Sequence, residues 1–263
     1  MPDSPLRTIA REFLDLLAPP RCAGCGELCR EPFCERCTPL IDFVDGPQCP
    51  RCGHPHPPTA PGWPTCGDCR EHPRAALNGA RSAALHVGPL RRAILDFKFE
   101  NHRALAEPLG AILGRRLASE LARPHRLPFD DITAIVPVIL HPARHDWRGF
   151  DQAKLLSREL SKHCGKPVWE DVLERVKNTR PQIELTPNER AENMRGAFEA
   201  RKTFKLQGAS LLLIDDVYTT GVTLREAAKA LRSGGAASVY ALTITRAAPT
   251  WHPGAGQGGN PGA

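Results

Sequence analysis

The stretch Leu211-Leu-Leu-Ile214-Asp215-Asp216-Val217-Tyr218-Thr219-Thr220-Gly221-Val222-Thr223-Leu224 leaves the chain few folds to choose from. Four consecutive large aliphatic residues suit a strand buried on both faces, which is the condition of a parallel sheet covered by helices on both sides. The strand ends in two adjacent carboxylates, and a hydroxyl- and glycine-bearing turn follows. Thr223 and Glu226 have the spacing of a capping box, so a helix is expected over Leu224–Ser233. At such a junction the loop amides and the positive end of the helix dipole face one anion. Gly221 allows close approach of the backbone, and Thr219, Thr220 and Thr223 offer hydroxyl donors. The loop Asp215–Thr223 therefore reads as a phosphate cradle. Its two acids, at the carboxyl end of the strand, are placed to accept hydrogen bonds from sugar hydroxyls or to help hold Mg²⁺. The competing structural reading makes the acids and threonines mere caps and turn residues, but a double acid beside Thr-Thr-Gly is more than a turn requires. A P-loop is excluded, because no Gly-Lys-Ser/Thr follows the turn. A receiver domain disperses its acids along the chain.

The surrounding pattern agrees with an α/β fold. Strands are expected over Ala80–Val87, Ile132–Val138, Leu211–Ile214 and Ser238–Thr245, and helices over 102–121, Gln152–His163 and Leu224–Ser233. Strands separated by helices imply a mostly parallel sheet with helices on both faces. Four segments follow: an N-terminal amphipathic helix within 1–20 with apolar Leu6, Ile9, Phe13, Leu16 and Leu17, a cysteine-rich part over 21–75, the α/β domain over 76–248, and a Gly/Pro-rich disordered tail over 249–263.

Residues 21–74 are poor in aliphatics and must be held by something other than a conventional core. Of ten cysteines, eight form Cys-x2-Cys pairs: Cys22/Cys25, Cys34/Cys37, Cys49/Cys52 and Cys66/Cys69. This arrangement belongs to metal ligands in a reducing compartment and not to a secreted disulfide framework. Two pairs complete one tetrahedral thiolate cage, so two structural metal sites are expected, for Zn²⁺, or for iron in the rubredoxin manner. Consecutive pairs are expected to share a metal, although spacing alone also permits interleaving. Four-thiolate sites keep no open position for catalysis.

Charge sharpens the division. Up to position 75, eight arginines and no lysines face ten acids, so this part carries −2 while the remainder carries +8 of the total +6. A basic excess on the larger domain suits phosphates or nucleic acid. Zinc held by four thiolates adds about −2 at each site, which argues against the cysteine-rich part being a DNA clamp. With aromatic residues at only 6% the chain has few platforms for stacking bases. No run of about 18 apolar residues and no signal-peptide pattern is present, so a soluble cytoplasmic protein without membrane insertion is expected.

Taken with Lys98-Phe99, Val136-Pro137-Val138, Arg148-Gly149-Phe150-Asp151-Gln152, and Arg175, Thr179, Gln182, Leu185, Arg190, Asn193 and Phe198, the acid–threonine loop resembles the ComF (competence protein F) family of phosphoribosyltransferase-like proteins, over nearly the whole chain. The resemblance implies a type I phosphoribosyltransferase fold behind a double zinc ribbon, binding phosphoribosyl pyrophosphate with Mg²⁺. It implies Asp215 and Asp216 on the ribose, Val217 to Thr223 on the 5-phosphate, and Lys98, Arg144 and Arg148 toward the diphosphate. It further implies a link to uptake of transforming single-stranded DNA and to competence or helicase-type partners. Two positions depart from the family pattern: Ile139 stands for a second proline and Asp151 for the usual Asn, an acid beside Arg148. Two functions of different kind are thus open, transfer of phosphoribose to a nitrogen acceptor and non-catalytic handling of DNA.

Overall fold

A computed structural model of the chain describes residues 19–72, 76–99, 102–123, 125–140, 149–177, 187–202 and 205–254. The helix expected over Leu6–Leu17 lies outside these residues, as do 255–263 of the expected tail. Residues 251–254 form a turn, with His252 Nε2 3.4 Å from Asp42.

The core is a four-stranded parallel sheet in the order β1-β6-β5-β2, built from β1 (Gly79–Leu85), β2 (Ala134–Pro137), β5 (Ser210–Tyr218) and β6 (Ser238–Arg246). Leu211 and Leu213 of β5 join a layer containing Ala227, Ala228 and Leu231 of the helix α6 (Val222–Ser233). Leu212 and Ile214 enter the opposite layer, among Ile94 and Phe97 of α2 (Gly88–Phe99), Leu109 and Leu113 of α3 (Ala106–Leu121), and Leu156 and Leu160 of α4 (Gln152–Cys164). Alternate strand residues thus feed two cores, which is why the aliphatic run is continuous.

The strand expected over Leu211–Ile214 runs four residues further and carries both acids inside it, Asp215 opposite Thr243 of β6. The helix expected from residue 102 opens with a 3₁₀ turn over Arg103–Leu105 before α3. Helix α2, the short antiparallel pair β3 (Leu173–Arg175) with β4 (Phe198–Ala200), and α5 (Pro187–Met194) have no counterpart in the sequence reading. No helix among the described residues is long and apolar enough to cross a membrane.

The cysteine-rich part does not stand apart from this core. Cys49, Cys52 and Cys69, the last on the short helix α1 (Gly67–Glu71), share the buried layer of Ala80, Leu213 and Tyr218. The Ala80 amide donates to the Arg51 carbonyl at 2.7 Å, and at Gly53 (φ +69°) a Cβ would sit 2.7 Å from the Ala80 carbonyl oxygen. The expectation that only cysteines hold this segment is therefore incomplete: its second half also packs on β1 and β6.

A buried ionic network fastens the same seam. Glu120 of α3 accepts from Arg81 Nε of β1 at 2.7 Å and from Arg116 Nη2 at 2.9 Å. Arg116 also donates to the Val44 carbonyl at 2.8 Å and to Gln48 Oε1 at 3.1 Å. The ion-paired side chains are at most 3% exposed. Burial pulls the Arg116 guanidinium down to about 10, against the opposing pull of Glu120. One carboxylate thus joins the sheet, a helix and the cysteine-rich segment. Glu120→Gln leaves two buried guanidiniums short of a counter-charge, and a loss of about 3–5 kcal/mol is expected in urea unfolding. A loss below about 1 kcal/mol would show that the network is dispensable.

Candidate functional site

The turn after β5 is built around Gly221, which caps α6 with φ +71°. A Cβ there would overlap the Tyr218 phenol oxygen, so glycine is required both for its left-handed backbone and for space. Among the described residues no protein group accepts a hydrogen bond from the amides of Thr219, Thr220, Gly221 or Val222. Those amides lie at the positive end of a 12-residue helix. Thr219 is exposed, and Thr220, Val222 and Thr223 are half-buried.

The expected capping box is not formed. Gly221 begins the helix two residues before Thr223, and no side chain caps it. Glu226 accepts from the Gly196 amide at 3.1 Å and pairs with Lys229 Nζ at 2.5 Å. The carboxylate that the pattern assigned to the helix start instead ties α6 to the turn after α5. Tyr218, expected on the phosphate, turns its side chain inward and is 5% exposed beneath the loop.

Successive residues of a strand project to opposite faces. Asp216 meets Lys98 of α2, Nζ to Oδ1 at 2.8 Å, with side chains 21% and 11% exposed. Lys98, expected toward a diphosphate, therefore stands at the acid pair. Asp215 is half-buried, and its Oδ1 accepts from the Asp216 amide at 2.9 Å. Burial, and after it the Asp216 charge, push the Asp215 carboxyl up to about 7, while Lys98 and Arg175 oppose the rise. His86, directly after β1, was not singled out from the sequence. Burial and then Lys98 pull it down to about 4, so the ring is neutral at pH 7, with Nδ1 2.9 Å from Thr245 Oγ1.

Arg144 and Arg148 lie outside the described residues, as do Thr179, Gln182 and Leu185. Asp151, the acid beside Arg148, has a local task. It caps α4 by accepting from Lys154 N at 3.1 Å, and its other oxygen accepts from Leu140 N at 2.8 Å. The carboxylate fixes the chain on either side of segment 141–148 and is itself buried, which raises its pKa.

The cysteines gather by consecutive pairs, Cys22/Cys25/Cys34/Cys37 and Cys49/Cys52/Cys66/Cys69, each set with its sulfurs within 4.8 Å of one another. Cys25 Sγ is 3.7 Å from Cys34 Sγ, and Cys52 Sγ is 3.5 Å from Cys66 Sγ. Tetrahedral zinc with Zn–S of about 2.3 Å requires sulfur separations of about 3.8 Å, so both cages fit the ion. The amides of Gly24 and Cys34 point at Cys22 Sγ at 3.4 and 3.3 Å, stabilising a thiolate. All ten cysteines are free of disulfides.

Comparison with known proteins bears on both parts. A double zinc ribbon domain matches residues 13–70, and a phosphoribosyl transferase domain matches 109–253, which includes the whole acid–threonine loop. The chain is 30% identical to competence protein F of Haemophilus influenzae, covering 86% of this chain and 95% of that protein. It is 31% identical to the DNA utilization protein YhgH of Escherichia coli, covering 83% and 95%. Competence protein ComFC of Bacillus subtilis is 30% identical, covering 82% and 85%.

Two outcomes test this geometry. A raised folded-state pKa means that Asp215 favours folding below its unfolded value of 3.8 and that this contribution fades as pH rises toward 7. Asp215→Asn should therefore gain stability over the parent at pH 7.5 but not at pH 4, by on the order of 1–3 kcal/mol. Parallel pH–stability curves for the two proteins would contradict the raised carboxyl pKa. Gly221→Ala should lower the melting temperature by several degrees, through about 1–3 kcal/mol of strain and overlap, and an unchanged melting temperature would refute the tight turn.

Proposed function

We propose that this chain, which belongs to the ComF family of proteins with a double zinc ribbon and a phosphoribosyltransferase domain, binds phosphoribosyl pyrophosphate with Mg²⁺ and acts in the handling of single-stranded DNA during its uptake. The observation that carries the reading is the loop itself. Two carboxylates end in a turn whose amides, from Thr219 to Val222, meet no described protein acceptor at the start of α6. A 5-phosphate supplies the missing acceptor oxygens, and ribose hydroxyls supply donors for Asp215 and Asp216. Mg²⁺, when bound with the diphosphate, neutralises its charge and eases its departure. The donors present for so hard a cation are the carboxylate oxygens of Asp215 and Asp216, which fit it. Lys98, held on Asp216 at 2.8 Å, keeps a cation beside the acids in the protein itself.

If transfer occurs, a nitrogen nucleophile displaces diphosphate through an oxocarbenium-like state, and no covalent intermediate with the protein is needed. The residues here then bind and orient: the loop fixes the phosphate, the acids fix the sugar, and Arg144 and Arg148 would close on the diphosphate. The names of the relatives, two of them competence proteins and one a DNA utilization protein, support the DNA context. They also support a second reading, in which the fold and its basic surface bind nucleic acid or a regulatory nucleotide without catalysis.

Calorimetry with phosphoribosyl pyrophosphate and Mg²⁺ separates the possibilities. Asp215→Asn with Asp216→Asn removes charge-assisted hydrogen bonds of about 1.5–3 kcal/mol each, so affinity should fall by on the order of 100-fold or more. Unchanged affinity in the double variant would sink the site. Diphosphate release across bases, nucleosides and oligonucleotides then decides catalysis, and silence throughout would favour the second reading.

A further inference from the structure

Arg246, the last residue of β6, is an arginine where the sheet offers no solvent: it is 4% exposed. Its Nη1 donates to the Cys52 carbonyl at 2.9 Å, and its guanidinium lies 4.9 Å from the centre of the Tyr218 ring. Its Nε is buried without a partner among the described residues. The Tyr218 ring in turn occupies the space beneath Gly221 that a Cβ would need. A buried cation demands compensation. The compensation at hand is the second four-cysteine cage, which carries about −2 when four thiolates hold zinc, together with the face of an aromatic ring.

Three contacts therefore run without interruption from a metal ligand to the phosphate loop: Cys52 to Arg246, Arg246 to Tyr218, Tyr218 to Gly221. A fourth contact runs parallel, since Arg225 of α6 reaches Asp68, one residue before Cys69, at 3.5 Å. Among the described residues the first cage has no such connection. Its neighbours Ala23 and Ile41 pack in the layer of α2 and α3, on the other side of the sheet from Tyr218.

We propose that Arg246 is a positioning residue for the phosphate loop, coupling the second four-cysteine cage to Gly221 through the Tyr218 ring. The two cages then differ in role. Metal at the first holds its own ribbon, whereas metal at the second also fixes the loop amides in the orientation that receives a phosphate. Coupling of this kind is reciprocal, so a ligand on the loop must strengthen metal retention at the second cage. This deepens the reading of the loop as a phosphate site and rests on that reading only for its ligand arm.

The test uses the full-length zinc-loaded protein. Amide hydrogen exchange over residues 217–224 is followed by mass spectrometry, and zinc release to a chelator is followed in time, with the first cage's release identified by its loss in Cys25→Ser. Arg246→Gln should speed loop exchange about tenfold and hasten zinc release from the second cage alone. Tyr218→Phe, which keeps the ring under Arg246 but removes the oxygen beneath Gly221, should speed loop exchange and leave zinc release as it was. Arg36→Gln, at an exposed ion pair with Glu27 near the first cage, should alter neither. Saturating phosphoribosyl pyrophosphate with Mg²⁺ should slow release from the second cage only. Loop exchange in a folded Arg246→Gln equal to that of the parent would overturn the coupling, as would ligand binding that leaves both release rates unchanged. Should Arg246→Gln not fold, Tyr218→Phe decides alone: unchanged loop exchange overturns the proposal. If phosphoribosyl pyrophosphate does not bind, the ligand reading falls, while the exchange comparison still decides the coupling.

Discussion

A strand paired in parallel on both edges and covered on both faces can afford polar side chains only where the covering layers end. β5 meets this condition. It lies between β6 and β2, and every residue from Ser210 to Ile214 is buried. Asp215 and Asp216 come where β2 has already stopped, since its last pair is Pro137 with Ile214. After Ser210 at its opening, the acids are the next polar groups the strand carries, and helix α6 begins six residues beyond Asp216. The geometry of acids, turn and helix start follows from the length mismatch between β5 and its shorter neighbour.

The same sheet explains the cysteine-rich part. A segment this poor in aliphatic residues cannot bury enough surface to order itself. Its second half solves the problem twice, by gathering four sulfurs and by packing three of those cysteines into the layer of Leu213 and Tyr218. The charge network of Arg81, Glu120 and Arg116 adds the segment around Val44 and Gln48 to the same seam. Cysteine cage and acid–threonine loop are therefore neighbours through one buried layer.

Much of this was legible in the residues, for physical reasons. The aliphatic run of β5, the Cys-x2-Cys spacing and the Thr-Thr-Gly turn each encode one local geometry. The extent of β5 was not legible, because acids in a strand look like its end. The capping box misled because Thr223 and Glu226 have the right spacing, yet the left-handed Gly221 had already opened the helix. Arg81, Arg116, Glu120 and Arg246 were not singled out, since nothing in a sequence shows that a carboxylate, a carbonyl or an aromatic ring will meet them. The pair β3 and β4, with three residues each, is too short for periodicity to register. Lys98 drew attention as a diphosphate cation, and its proximity to Asp216 becomes visible only once α2 lies over the end of β5.

The central claim is that the turn after β5 receives a phosphate on its backbone amides. A ¹H–¹⁵N spectrum of the labelled protein, recorded while phosphoribosyl pyrophosphate and Mg²⁺ are added, addresses those amides directly. The account predicts that the signals of Thr219, Thr220, Gly221 and Val222 shift most and saturate together, because each N–H gains a charged acceptor. Signals of these four that stay fixed while amides elsewhere on the protein move would contradict it.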